Sequence, residues 1–383
     1  MTDYRENRKV KLLYVENIRI VLSALVVAVH VSCTYGGPGG WSYVEPGAGL
    51  LSVFPLTIFN ATSQSFFMGM FFFFGAYFTH RSYQKKGVGQ FIKDRFIRLG
   101  IPLLLTYFFI SPFTNYIAWH VKHAGSARPS FMELWTSGHG FGVGVMWFAE
   151  ALIYFTILYM IAYSLFPWLR KKEKLHMPEI KSKHILVASI LLGSFTFLIR
   201  IFLPLFHRTL PLPFDLGHFS QYIFLFTLGI VAAKYNSDYL LSYRQAKKWM
   251  WFSLSMIFIV FPMIFIVGKA YEGNIRPFLG GFTWQSLAFS VWEQVTGIAI
   301  MVTLVGLTRA KWNKQSKLTS RLSGSAYAVY VFHPPILVAI SVLLVNWEAI
   351  HILKFLIITP LALIASFGIA LLIKQIPILR QIF

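Results

Sequence analysis

The sequence predicts an all-α integral membrane protein, a bundle of about ten transmembrane helices with both termini in the cytoplasm. Three observations carry this prediction. Of 383 residues, 56% are hydrophobic and only 13% charged, about half the charged share of an ordinary soluble domain. Apolar runs of membrane-spanning length recur from end to end. The 35 Lys and Arg residues crowd into alternate connections between those runs, which is the pattern that sets topology.

The first span is 13–35. A basic then apolar N-terminus superficially matches a signal peptide. The run from Leu12 to Tyr35 is long enough to cross a bilayer, however, and lacks a convincing cleavage site, so it reads as a retained helix. The second span, 51–79, is rich in Phe. The third, 98–120, follows the basic stretch Phe91-Ile-Lys-Asp-Arg-Phe-Ile-Arg98. The fourth, 143–167, carries Trp147-Phe-Ala-Glu150, and the fifth is 184–204. The sixth, 217–234, is the shortest, and the seventh is 248–268. The eighth, 283–307, contains Trp292-Glu-Gln294. The ninth, 324–346, contains His333-Pro-Pro335, and the tenth, 350–374, follows it closely. No connection is long enough for a second domain and no internal repeat is visible, so residues 1–383 are expected to form a single membrane domain.

Charge fixes the expected orientation. The N-terminal side of the bundle holds 27 of the Lys and Arg residues and the other side six: Lys122, Arg128, Arg200, Arg208, Lys269 and Arg276. By the positive-inside rule both termini are cytoplasmic. The formal charge of +21 therefore reads as topology with a share for an anionic ligand. No nucleic-acid-binding signature accompanies it. With Cys33 as the single cysteine, no intrachain disulfide can form. The first outer connection, Gly36-Gly-Pro-Gly-Gly-Trp41, is uncharged and flexible in composition, suited to a plain connector or to the lining of an external entrance.

Ionisable side chains within the bilayer are costly and mark function. Here they are Arg19, His30, Glu150, Glu293 and His333, with His218 near a span end. Arg19 and His30 are 11 residues apart, so they share a helix face and lie roughly 16 Å apart along the axis. A fixed cation beneath a titratable base suits a long anionic donor entering from the cytoplasm, as coenzyme A would. A snorkelling arginine and a helix-bridging histidine are the structural alternative. Glu150 is expected at the depth of His30, where a carboxylate could orient the imidazole. His333, ahead of two prolines that remove backbone donors, and Glu293 are candidates for lining an acyl path. Arg95 and Arg98 share one face at the start of the third span, and their planar guanidinium groups suit phosphate.

The spacing Arg19-x10-His30 resembles the first-helix motif of the membrane acyltransferase-3 family. Four further segments resemble that family in chain order: Phe71-Phe-Phe-Phe-Gly-Ala-Tyr-Phe78, Arg95-x2-Arg98-Leu-Gly-Ile-Pro102, Trp147-Phe-Ala-Glu150 and Ala326-Tyr-Ala-Val-Tyr-Val-Phe-His-Pro-Pro335. The Lys85-Lys86-Gly87 loop and Trp292-Glu-Gln294 look most like the glucan-modifying branch, which includes periplasmic-glucan succinyltransferases. The resemblance implies a ten-helix bundle that moves an acyl group from cytoplasmic acyl-CoA to an extracytoplasmic hydroxyl, usually of a glycan. It implies His30 as the catalytic histidine and Arg19, Arg95 and Arg98 as donor-binding residues. No metal or cofactor is expected beyond acyl-CoA as co-substrate. The chain departs from the family pattern at Glu16 and Ile20, where many members have Asp and Gly. It also has only about nine residues after the last span, where some members carry an esterase-like domain. Transfer would then finish in the membrane domain or on a separate partner.

The expected reaction is acyl transfer, with His30 as general base and Glu150 as its orienting carboxylate. An acyl-histidine intermediate is equally compatible with these residues. The rival readings are a proton-coupled transporter or polysaccharide exporter, which intramembrane His and Glu would also serve, and a non-catalytic scaffold that would not need His30. The expected location is the cell membrane.

Overall fold

The computed structural model describes residues 12–123, 127, 129–138, 140–171, 180–207, 214–235 and 242–383. Of the charges counted above, Arg5, Arg8, Lys9, Lys11, Arg128, Lys172, Lys174 and Arg208 lie outside the described residues. Labelled in chain order, the main helices are α1 (Leu13–Thr34), α2 (Leu50–Gln64), α3 (Phe67–Lys86), α4 (Val88–Trp119), α5 (Gly144–Leu165), α6 (Ser182–Phe202), α7 (Leu216–Tyr235), α8 (Tyr243–Val267), α9 (Trp284–Lys311), α10 (Lys317–Leu343) and α11 (His351–Ile373). Nine of these, all but α2 and α3, are long and apolar enough to cross a membrane. Each matches one of the apolar runs.

The second predicted span, 51–79, is the exception, because it is two helices broken at Ser65 and Phe66. Polar residues Asn60, Ser63, Gln64 and Ser65 interrupt the apolar run there. The broken turn is held from outside. Gln221 of α7 donates to the Ser65 carbonyl at 2.7 Å and to Gln294 of α9 at 2.8 Å. Gly297 of α9 presses its backbone against the same turn, where an added Cβ would meet the Ser65 oxygen at 1.9 Å. Glycine is required at this close approach.

Three wide π-turns, Phe96–Gly100, Thr106–Ile110 and Met256–Val260, each run into a helical segment that begins with a proline at its second position: Pro102, Pro112 and Pro262. A proline has no N–H and its ring crowds the carbonyl four residues back. A widened turn relieves that crowding and leaves carbonyls to be satisfied from elsewhere. The Arg98 carbonyl, four before Pro102, accepts from the Tyr327 hydroxyl at 2.6 Å. The Phe108 carbonyl, four before Pro112, accepts from Trp135 Nε1 at 2.7 Å. The prolines thus create sites at which distant segments dock onto α4.

Helix α1 packs against α9, α10 and α11. Asn17, fully buried, donates to the carbonyls of Trp312 and Lys314 at 2.6 and 3.1 Å and accepts from Gln315. One α1 side chain therefore ties down the α9–α10 connection at the end of the bundle where α1 begins.

Candidate active site

Two histidines 303 residues apart in sequence meet inside the bundle. His30 Nδ1 lies 2.9 Å from His333 Nε2, with the ring centroids 5.0 Å apart and the planes inclined by 17°. The rings are thus nearly parallel and joined edge to edge by one N–H···N bond. Because one of the two nitrogens must offer a lone pair, the pair carries at most one positive charge.

Local sequence decides which nitrogen is bare. Pro334 follows His333 and deletes the N–H that the Tyr330 carbonyl, four residues back, would otherwise receive. His333 Nδ1 takes that place, at 2.9 Å from the Tyr330 oxygen and 3.2 Å from the Val329 oxygen. A carbonyl only accepts, so His333 Nδ1 carries the hydrogen. In the neutral ring Nε2 is then a lone pair, which accepts from His30 Nδ1–H. That in turn leaves His30 Nε2 as the free basic nitrogen. The two prolines after His333 are accommodated within α10, which stays one helix from Lys317 to Leu343.

Trp41 covers the His30 ring, with centroids 4.1 Å apart and planes inclined by 18°. The glycine-rich connection before it, read from sequence as flexible, folds back on α1. The Pro38 carbonyl accepts from Asn60 at 2.9 Å, and Gly36 adopts a φ of 108°, which a side chain would disfavour. The contribution of Trp41 was not legible in sequence; a single aromatic closing an otherwise featureless Gly-Pro loop is the only trace of it.

Arg19 lies on α1 about three helical turns from His30, toward the end where the chain begins. It is within electrostatic reach of Arg98, which in turn acts on Arg95. Arg95 donates to Thr79 Oγ1 at 2.6 Å and covers the Phe91 ring. Lys374, just beyond α11, joins this group. Burial first, then the neighbouring charges of Arg380 and Arg19, lower its pKa. Glu16 is the acid acting on Arg19. Cations from α1, α4 and the end of α11 thus gather at one end of the bundle, where they would attract an anion. Sequence reasoning missed Lys374 and Arg380 because they read as end-of-span topology charges.

Two expected placements are corrected. Glu150 does not pair with His30. One of its oxygens accepts from Tyr154, one turn along α5, at 3.2 Å, while the other has no hydrogen-bond partner among the described residues. Equal depth on two helices does not make their side chains face each other, and the place beside His30 is taken by His333. Glu293 is not free to line a path. Its carboxylate accepts from Arg200 Nη2 at 2.6 Å and lies 3.3 Å from His218 Nδ1. Arg200, counted from sequence on the outer side, is fully buried and also donates to Gly217 and Ser290. The three residues tie α6, α7 and α9 together.

The profile of the acyltransferase-3 family, described as an acyltransferase domain, matches residues 12–374. Among curated proteins, the chain is similar to the Glucans biosynthesis protein C of Salmonella schwarzengrund, Salmonella typhi and Salmonella typhimurium. It is 22% identical to each, over 97% of this chain and 94% of the relative. No solved structure matches.

Proposed function

Because this chain belongs to the acyltransferase-3 family, we propose that it is a membrane O-acyltransferase carrying an acetyl or succinyl group from cytoplasmic acyl-CoA to a hydroxyl of an extracytoplasmic glycan, with His30 as general base. The observation that carries this reading is the His30–His333 pair, whose bonding leaves one imidazole nitrogen bare. The likeness to Glucans biosynthesis protein C favours a glucan as the acceptor.

In this proposal the end of the bundle where the chain begins faces the cytoplasm, in keeping with the 27-to-6 charge split. Arg19, Arg95 and Arg98, with Lys374, receive the phosphates of the donor. The acyl thioester then reaches His30 at the tip of an extended arm, roughly 16 Å from Arg19 along α1. His30 Nε2 takes the proton of the acceptor hydroxyl as its oxygen attacks the thioester carbonyl. The carbon–sulfur bond breaks, and the thiolate leaves and recovers the proton. His333, through its Nε2, holds His30 in the productive tautomer and shares the positive charge that forms on it. That is the orienting role which sequence assigned to Glu150. Trp41 shields the ring and keeps water from the reacting face.

The test is release of free CoA by the purified protein in proteoliposomes, with a periplasmic glycan extract as acceptor source. Wild type should release CoA in an acceptor-dependent manner, and His30→Ala should lower the rate by about 10²–10⁴-fold, the usual worth of a general base. Absence of both turnover and acyl-CoA binding in wild type would remove the donor from the scheme and favour the transporter reading.

A further inference from the structure

Beyond the histidine pair, on the side away from the arginines, the structure holds a second polar cluster that the reaction scheme leaves unused. It is built by Tyr35, Tyr43 and Glu45 of the connection after α1, Ser341 of α10, and His351 and Lys354 of α11. Lys354 Nζ donates to Glu45 Oε1 at 2.6 Å, and His351 Nε2 stands 3.5 Å from the same oxygen. The Tyr35 ring meets His351 edge-on, with centroids 6.2 Å apart, and faces Ser341. Tyr43 also senses Glu45.

What sets this cluster apart is the polar capacity left over. Glu45 Oε2 and the Tyr43 hydroxyl are buried atoms with no hydrogen-bond partner among the described residues, while Tyr35 faces Ser341 and His351 Nε2 faces Glu45 Oε1 without either pair closing a hydrogen bond. Tyr35 and Ser341 are fully buried and Tyr43 is 2% exposed. Buried polar groups are normally satisfied, and a knot of unsatisfied ones converging from three segments marks a place for a polar guest. The inventory is specific: hydroxyls that both donate and accept, and a carboxylate oxygen that accepts. The only strong cation, Lys354, is already neutralised by Glu45. This suits a neutral polyol and not an anion. Burial, aided by Glu45, pushes the Tyr43 hydroxyl up to about 12, so it remains a neutral donor.

Position completes the argument. Tyr35 lies five residues beyond His30 on the same helix path, roughly 8 Å further along and about 140° around the axis, and Ser341 lies eight beyond His333, roughly 12 Å along and about 80° around, so Trp41 and not either helix links the two groups. Trp41 bridges the two groups, stacking on His30 while packing against the small apolar cluster that contains Tyr43. We propose that Tyr35, Tyr43, Glu45, Ser341 and His351 form an acceptor subsite, which holds a neutral sugar ring by its hydroxyls on the side of Trp41 away from His30. The proposal rests on the acyltransferase reading of His30 and assigns the sugar to residues outside it.

The test uses the full-length protein in nanodiscs, with gluco-oligosaccharides as probe. It reads saturation-transfer NMR binding, acyl-CoA binding, and the dependence of CoA release on oligosaccharide concentration. Tyr43→Phe and Ser341→Ala remove single hydroxyls without disturbing the ion pair. Glu45→Gln is read beside Glu45→Gln/Lys354→Met, so that an unpaired buried lysine is not mistaken for a lost contact. The expected result is tenfold or greater weakening of oligosaccharide binding and a matching rise in its KM, with wild-type affinity for acyl-CoA. Unchanged oligosaccharide affinity in all variants would make the cluster a water-filled structural site and overturn the subsite. Failure of wild type to bind the oligosaccharides while transferring acyl groups to the crude glycan extract would overturn the choice of sugar. Failure of wild type to bind or consume acyl-CoA would instead remove the reading beneath it.

Discussion

At His333 the reactivity of one residue is set by the covalent structure of the next. The ring of Pro334 takes away a backbone donor, the orphaned Tyr330 carbonyl claims His333 Nδ1–H, and the opposite nitrogen is left to receive His30. Under the proposed reaction, a mutation series separates the orienting role of His333 from the base role of His30. His333→Ala leaves the base in place but untethered, and is expected to lower kcat on the order of 100-fold or less, with little change in acceptor KM. His333→Gln still offers an acceptor oxygen to His30 Nδ1–H and should restore part of the rate. Equal KM effects in both variants would point to a packing role. Glu150→Gln, measured in the same CoA-release assay, should stay close to wild type, because Glu150 bonds Tyr154 and not His30.

At the scale of the element, proline and glycine decide how apolar helices dock. The Phe108 carbonyl, four residues before Pro112, depends on Trp135 Nε1. Trp135→Phe should lower stability by about 1 kcal/mol, the net worth of one hydrogen bond, seen as a lower thermal midpoint in detergent. Gly297→Val should cost more, about 1–3 kcal/mol as for other overpacked contacts, since its Cβ would collide with backbone and not with a movable side chain. A thermal midpoint equal to wild type would show that the α2–α3 break can shift. This break also marks the limit of reading spans from hydropathy. Run length found the nine long helices because an apolar helix needs only its own sequence to be stable in lipid. Whether the polar turn at Ser65 continues or breaks a helix depends on Gln221 and Gly297, more than 150 residues away.

Across the whole molecule, charge is distributed by task. Cations converge at the end where α1 begins, an Arg200–Glu293–His218 unit ties three helices, and a Glu45–Lys354 pair closes the opposite end. Arg200→Met would strand Glu293 in the interior at a cost of about 3–5 kcal/mol, whereas the double variant Arg200→Met/Glu293→Leu should recover most of it. Thermal unfolding of the two variants beside wild type checks this, and an additive loss would show that the two side chains act independently. Orientation is checked by thiol labelling in a Cys33→Ala background. Gly273→Cys, in the exposed α8–α9 connection, should react with an impermeant reagent in intact cells, and Ser316→Cys only after lysis. The reverse pattern would invert the donor and acceptor faces.

The sequence by itself determined the membrane class, the positions of the nine long helices, the end at which positive charge collects, and the titratable residues within the apolar runs. Each of these is a local property: the length of an apolar run, the sign of a connection, the identity of a side chain. Only the tertiary structure decided which of those residues meet. It paired His30 with His333 and not Glu150, set Glu293 against Arg200, folded Trp41 over the imidazole, and gathered Tyr35, Tyr43, Glu45 and Ser341 into one polar cluster. The physical reason is rotational. Depth along a helix follows from counting residues, but the direction in which a side chain points relative to another helix follows from how glycines, prolines and buried hydrogen bonds lock the helices against one another.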